Sequence, residues 1–356
     1  MTQHIYILSN AQIKSVVDKI NNQISVNGIY ESEDLELTGD ILVQMARNCT
    51  VDYFYVIATD REILFPKFDF NFKPEEWDKE YMHIWNNDNK VRLFNKQMVL
   101  DNPSKFTDVA LSSGEIRIKQ MEGDIYKHPT FDIIFLSYDE VYADTNFKKL
   151  HNRFPRAKRL HNIKGIMEAH KSAAKWAFHE KSDMFYVVDA DAEILPSFNF
   201  DYCPPWFDMQ SVHVWYSHNP VNDLEYGYGG IKLFPSKLLV EYDGSPIDFT
   251  TTVSKSLKVI PEVSNITHFN TDPFSSWRSG FRECAKLASK LIPNQDNTET
   301  EERLNVWCTK GADREFGDFA IMGANEGREF GAENINQPEQ LRLINDFKWL
   351  EKKFNS

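Results

Sequence analysis

Cysteine is scarce in this chain of 356 residues, and its four copies (Cys49, Cys203, Cys284, Cys308) stand far apart with no Cys-X-X-Cys pair. That spacing excludes a zinc ribbon or a disulfide framework and reads as reduced, packed thiols, so a cytoplasmic protein is expected. The sequons at Asn48 and Asn265 then carry no meaning. No apolar run approaches the roughly 18–20 residues that span a bilayer, so no membrane partner is expected. The first residues, Met-Thr-Gln-His-Ile-Tyr-Ile-Leu, have neither a basic segment nor a long apolar core, so no secretory signal is expected either. Positive charge is in deficit: 40 Lys and Arg against 53 Asp and Glu leave a net −13, which opposes uniform attraction to nucleic acid.

What is present is an ordinary globular composition, 42% hydrophobic and 26% charged, in a chain long enough for one large or two moderate domains. The deficit of positive charge is uneven. Thr145 to Met167 holds seven Lys or Arg (Lys148, Lys149, Arg153, Arg156, Lys158, Arg159, Lys164) and no acid, and without it the rest of the chain carries −20.

The chain is organised around Asp183–Leu195. Phe185, Tyr186, Val187 and Val188 form a short continuous apolar run, the pattern of a strand buried on both faces. At its end stand Asp189 and Asp191, one residue apart. Two acids at a strand terminus are costly to bury unless a cation compensates them, and hard oxygen ligands suit Mg²⁺ or Mn²⁺ shared with substrate phosphates. Nucleotide-sugar glycosyltransferases use Asp-X-Asp turns of this kind. Haloacid-dehalogenase-type phosphatases share the local look, but their motif wants Thr or Val where this chain has Glu193 and normally opens the domain.

The same segment occurs twice. Phe54–Leu64 aligns with Phe185–Leu195 at seven identities in eleven positions. Pro66, Phe68, Phe70, Pro74, Asp78, His83 and Trp85 then correspond to Pro196, Phe198, Phe200, Pro204, Asp208, His213 and Trp215. The first copy has Ala58 in place of Asp189 and lacks the stretch Asn219–Gly230. Residues found only in the second copy are the candidates for chemistry. The expectation is a degenerate accessory domain over 1–125 and a catalytic domain with a C-terminal helical region over 126–356.

Phe131–Ser137 reads as a further strand, the basic stretch as a loop, and Ile163–Phe178 as an amphipathic helix carrying a packed His170. That order predicts a βαβ nucleotide-binding unit. Tyr226-Gly227-Tyr228-Gly229-Gly230 lets backbone approach a ligand, though no Gly-Lys-Ser/Thr follows to make a Walker loop. Phe274–Leu291 predicts a second amphipathic helix and Pro293–Glu302 a polar loop. The glycine-rich Cys308–Gly331 reads as a segment able to close over a substrate, and Asn336 as the cap of a last helix.

Ser137-Tyr138-Asp139-Glu140, Arg153–Arg159, Val188–Asp191, Asn219–Pro235 and Trp277–Glu283 resemble GT-A-type glycosyltransferases of large tailed phages, over roughly 131–350. Within that group the chain looks like the enzymes that arabinosylate 5-hydroxymethylcytosine in the DNA of T-even-like phages. The resemblance implies a Rossmann-like α/β fold, mostly parallel and flanked by helices, preceded by a degenerate repeat. It implies a UDP-sugar donor, UDP-arabinose, with Mn²⁺ or Mg²⁺, and hydroxymethylated double-stranded DNA as acceptor. It puts Asp189, Asp191 and His268 on the metal, Asp139 near the nucleoside, and Arg156, Arg159 and Lys164 near the phosphates, with Tyr228, Gly229 and Gly230 also at the donor. A base is required for the acceptor hydroxyl if the mechanism inverts: Asp223 and Glu225 are the candidates, Asp248 and Asp272 the reserves. A protein or glycan acceptor, or a non-catalytic sugar- or nucleotide-binding module, are the alternatives.

Overall fold

The computed structural model describes residues 3–10, 14–66, 68–86, 90–123, 125–227, 230–244, 247–254, 256–291 and 296–356. Tyr228 and Gly229 lie outside the described residues. The chain divides into two compact units, Met1–Thr130 with Asp201–Asp208, and Phe131–Phe200 with Met209–Ser356.

The first unit is a six-stranded sheet in the order β2-β1-β3-β5-β4-β6. Its strands are β1 (His4–Ser9), β2 (Gly28–Glu31), β3 (Tyr53–Ala58), β4 (Met82–Trp85), β5 (Val91–Asn95) and β6 (Ile118–Gln120). The second unit contains β7 (Asp132–Ser137), β8 (Lys158–His161), β9 (Met184–Asp189), β10 (Ala192–Ile194), β11 (Val212–His218), β12 (Glu225–Tyr226), β13 (Ile231–Pro235) and β14 (Leu257–Thr267). They run in the order β10-β14-β11-β13-β9-β7-β8, with β12 paired to β11. Read from the β8 side, β8-β7-β9-β13-β11-β14 repeats β2-β1-β3-β5-β4-β6, in sequence order and in strand direction. Register repeats too: Phe54 lies opposite Phe94 as Phe185 lies opposite Phe234, and Val56 opposite Arg92 as Val187 opposite Lys232. The sequence repeat is therefore a duplicated α/β unit.

The class is the expected Rossmann-like α/β, with a refinement. β8-β7-β9 pair in parallel, as do β11 and β14, whereas β13 is antiparallel to both its neighbours. Phe185–Val188 are wholly buried, as a central strand requires. Helix Ile166–His179 covers one face with Ala173, Ala174 and Ala177, against Ile134, Leu136 and Val187. His170 on that helix is buried, its ring packed on Phe234 and Phe249.

Several local expectations change. The basic stretch is not a loop: it contains most of helix Ala143–Arg153 and all of β8. Helix Asn297–Thr309, capped by Asp296, takes up part of the expected polar loop. The last helix is Phe347–Phe354 with Asp346 as its cap, while Pro338 opens only a single helical turn. The glycine-rich segment is no lid. Gly317–Glu333 is a helix whose Gly323, Gly327 and Gly331 lie against the backbone of helix Pro273–Ala288. All four cysteines are buried and free, and Asn265 is fully buried within β14. No helix among the described residues is long and apolar enough to cross a membrane.

Candidate ligand site at the carboxyl ends of β7 and β9

From β7 the chain moves outward to β8, then returns to β9 on the other side of β7. The strand order reverses between β7 and β9, and in open α/β sheets ligands bind in the crevice beyond the strand ends at such a point. Tyr138, Asp139 and Glu140, all exposed, follow β7 there; Asp189 ends β9, and Asp191 follows in a tight turn. That turn is pinned from several sides. The buried Asn146 amide donates to the Ala190 carbonyl at 3.0 Å, Asp189 N–H to Gly230 O at 3.0 Å, and His268 N–H to Asp191 O at 2.8 Å. A Cβ on Gly230 would stand 2.4 Å from the buried Asn265 amide, so only glycine lets β13 begin this close.

Asp191 is the electrostatically strained member of the pair. Burial, and then the neighbouring Asp189 and Glu140, push the Asp191 carboxyl up to about 7, against the pull of Lys232. Lys232, buried on β13, places its ammonium 2.7 Å from Asp189 Oδ2. His268 is engaged elsewhere: its Nε2 is 2.8 Å from Glu193 Oε2, and Lys149 is 2.5 Å from Glu193 Oε1. Lys149 first, and then His268, hold the Glu193 carboxyl below its usual range. Among the described residues no three His, Cys, Asp or Glu gather to hold a metal ion. The donor set on hand is thus two carboxylates, Asp189 and Asp191, with Glu140 in electrostatic reach. That set fits a hard divalent ion which completes its shell with water and phosphate oxygens.

The expected cations separate. Arg159, on β8, donates to Ser137 Oγ at 2.8 Å and to Asp144 Oδ1 at 2.6 Å, beside the end of β7. Lys164 is exposed in the loop between β8 and helix Ile166–His179, at the same end of the sheet. Arg156 precedes β8, at the opposite strand ends, and donates to Phe200 O at 3.1 Å. It is not brought to Asp189 or Asp191. Arg153 donates to the carbonyls of Leu195, Pro196 and Phe198 at 3.0, 3.0 and 2.7 Å. Much of the basic stretch thus fastens the segment after β10 rather than awaiting phosphate. Arg153→Ala should cost about 1–2 kcal/mol in urea denaturation, since partly exposed charged donors contribute at the low end of their range. It should leave the salt dependence of any DNA binding unchanged; a slope flatter by about one unit would restore Arg153 as a phosphate contact.

The two expected base candidates, Asp223 and Glu225, do come together, through a residue that the sequence did not point to. His218, at the end of β11, has Nδ1 3.2 Å from Glu225 Oε1 and Nε2 3.6 Å from Asp223 Oδ1. Arg314 reaches Asp223 Oδ2 at 3.0 Å. Asp223 takes a left-handed conformation, φ 59°, in a loop closed by Asn219 and Asn222 side-chain oxygens. His218 and Glu193 both pair with Ile266 across β14, so their side chains share a face, two strand spacings or roughly 10 Å apart. The available signal for His218 was its place immediately before the insertion absent from the first copy. The reserves are structural: Asp248 caps helix Phe249–Thr252 and pairs with Lys286, and Asp272 caps helix Pro273–Ala288.

No protein-family model and no curated protein matches the chain. Among solved structures it resembles a glycosyltransferase involved in the glycosylation of the major capsid of PBCV-1, at 11% identity, covering 38% of this chain and 93% of that one with a TM-score of 0.24. A likeness that faint carries no argument about function.

Proposed function

We propose that the second unit is a glycosyltransferase that binds a nucleotide-sugar donor at the carboxyl ends of β7 and β9. The observation that carries this reading is the acid turn itself, Asp189 and Asp191 at the reversal of strand order, with Asp191 pushed up to about 7 by burial first and then by the neighbouring carboxylates. Asp189 and Asp191 hold Mn²⁺ or Mg²⁺, which when bound supplies Lewis-acid stabilisation of the departing diphosphate. Asp139 lies on the nucleoside side, and Arg159 and Lys164 on the phosphate side. Glu225, oriented by His218, takes the proton from the acceptor hydroxyl, with Asp223 held in reserve by Arg314. From the resemblance we assign a UDP-pentose, arabinose, as donor and the hydroxymethyl group of 5-hydroxymethylcytosine in double-stranded DNA as acceptor. The first unit, with Ala58 where the second has Asp189, is a degenerate copy without a donor site.

The test offers UDP-sugars with hydroxymethylated DNA and reads nucleoside mass after digestion. A pentose increment that disappears with EDTA and falls by two to three orders of magnitude in Asp191→Asn is the expected result, the scale on which one transition-state contact acts. Transfer that proceeds at full rate in EDTA removes the metal. Donor hydrolysis or binding without any DNA product removes the acceptor.

A further inference from the structure

Lys232 lies at the donor site, and the proposed function leaves it without a task. Its side chain is 8% exposed, and its ammonium lies 2.7 Å from the first acid of the turn. It stands opposite Val187 on the face that helix Ile166–His179 covers, where the neighbouring ring is the buried, uncharged His170. Burial first, and then the Lys232 ammonium, bring His170 down to about 4. The corresponding residue of the first unit, Arg92, is also buried, but it pairs with Asp108 at 2.6 Å because its strand neighbour offers Ala58 instead of an acid. Both units thus keep a cation at this register position. Only in the second is its partner an acid of the turn.

We infer that Lys232 is the resident cation of the acid turn: it holds Asp189 in the ligand-free protein and competes with a divalent ion for that carboxylate. This rests on the reading of Asp189 and Asp191 as the cation-holding pair. An ion that takes Asp189 leaves a buried ammonium short of a partner and facing a dication, both unfavourable in a low-dielectric setting. Metal alone is therefore held weakly. A nucleoside diphosphate brings the negative charge that compensates both cations, so metal and donor bind together rather than in sequence. The role is one of coupling, and Lys232 is a positioning residue. In the first unit the corresponding cation pairs with Asp108, outside the turn.

The experiment titrates metal-free wild type and Lys232→Met with Mn²⁺ alone, by calorimetry and electron spin resonance, and then repeats both titrations with UDP present. Lys232→Met should bind Mn²⁺ on the order of tenfold more tightly than wild type without nucleotide, and the gain in Mn²⁺ affinity on adding UDP should shrink by a like factor. Lys232→Arg, which keeps the charge, should behave as wild type, and Lys232→Gln serves if the apolar variant does not fold. Equal or weaker Mn²⁺ binding in Lys232→Met overturns the inference while leaving the metal site standing. Mn²⁺ held by none of these proteins, with or without UDP, overturns the inference and the metal part of the proposed function together.

Discussion

Asp191→Asn should make the metal-free protein more stable at pH 8 and leave it nearly unchanged at pH 4. Asp191 is harder to ionise in the folded protein, its pKa raised from 3.8 to about 7. An acid whose folded pKa is raised binds its proton more tightly when folded than when unfolded, so stability falls as pH climbs through the interval between the two values. The cost is absent below pH 4, grows between pH 4 and 7, and is complete above 7. Three units correspond to about 4 kcal/mol, and the carboxyl's partial contact with solvent trims this to about 2–3 kcal/mol. The amide cannot ionise and escapes the cost. Asp189→Asn should act in the opposite sense, because it strips the buried Lys232 of its partner. Breaking a fully buried pair costs about 3–5 kcal/mol; Asp189 is 36% exposed, so the loss here is about 1–3 kcal/mol, offset in part by relief at Asp191. Both substitutions should lower transfer by about two to three orders of magnitude. Denaturant unfolding at a series of pH values in chelator measures the pair, and a denaturant midpoint for Asp191→Asn below wild type at pH 8 would show that its carboxylate is not strained.

Gly327→Ala should be destabilising by about 1–2 kcal/mol, although alanine is the better helix former. A Cβ at Gly327 would meet Phe281 O at 2.2 Å and Phe281 Cα at 2.7 Å. Gly323 stands likewise against Trp277 O at 2.0 Å and Gly331 against Ala285 O at 2.4 Å, so three successive turns of helix Gly317–Glu333 touch the backbone of helix Pro273–Ala288. From the other side, Gly280 stands against Ala320 O at 2.2 Å. A methyl group here meets main chain, which cannot rotate away, and the helices must separate. Overpacking of that kind costs about 1–3 kcal/mol and occasionally more, against roughly 1 kcal/mol regained from helix propensity. The same substitution at an unpacked helical glycine would stabilise. A gain in denaturant midpoint for Gly327→Ala would therefore mean that the helices are not in contact at this face.

Local pattern made much of the protein legible. The apolar run Phe185–Val188 read as a buried strand because burial on both faces leaves no polar position, and the acids after it marked the strand end. The repeat showed a duplicated unit because paired strands in both copies need apolar residues at the same register positions: Phe54 and Phe94, Phe185 and Phe234. The spacing of Gly323, Gly327 and Gly331 was equally periodic, yet it read as a segment able to close over a substrate, since glycine is a poor helix former until a neighbouring backbone rewards its missing side chain. Side-chain partners were beyond local pattern altogether. Asp189 with Lys232, Glu193 with His268, and Arg153 with the carbonyls after β10 are each joined across more than 40 residues. Which atoms meet over such separations is set by strand order and register. The sequence by itself determined that two acids end a buried strand in the second of two α/β units. Only the tertiary structure decided that one of them shares its charge with a buried lysine while the other is left in excess, because a strand antiparallel to β9 carries that lysine to its side.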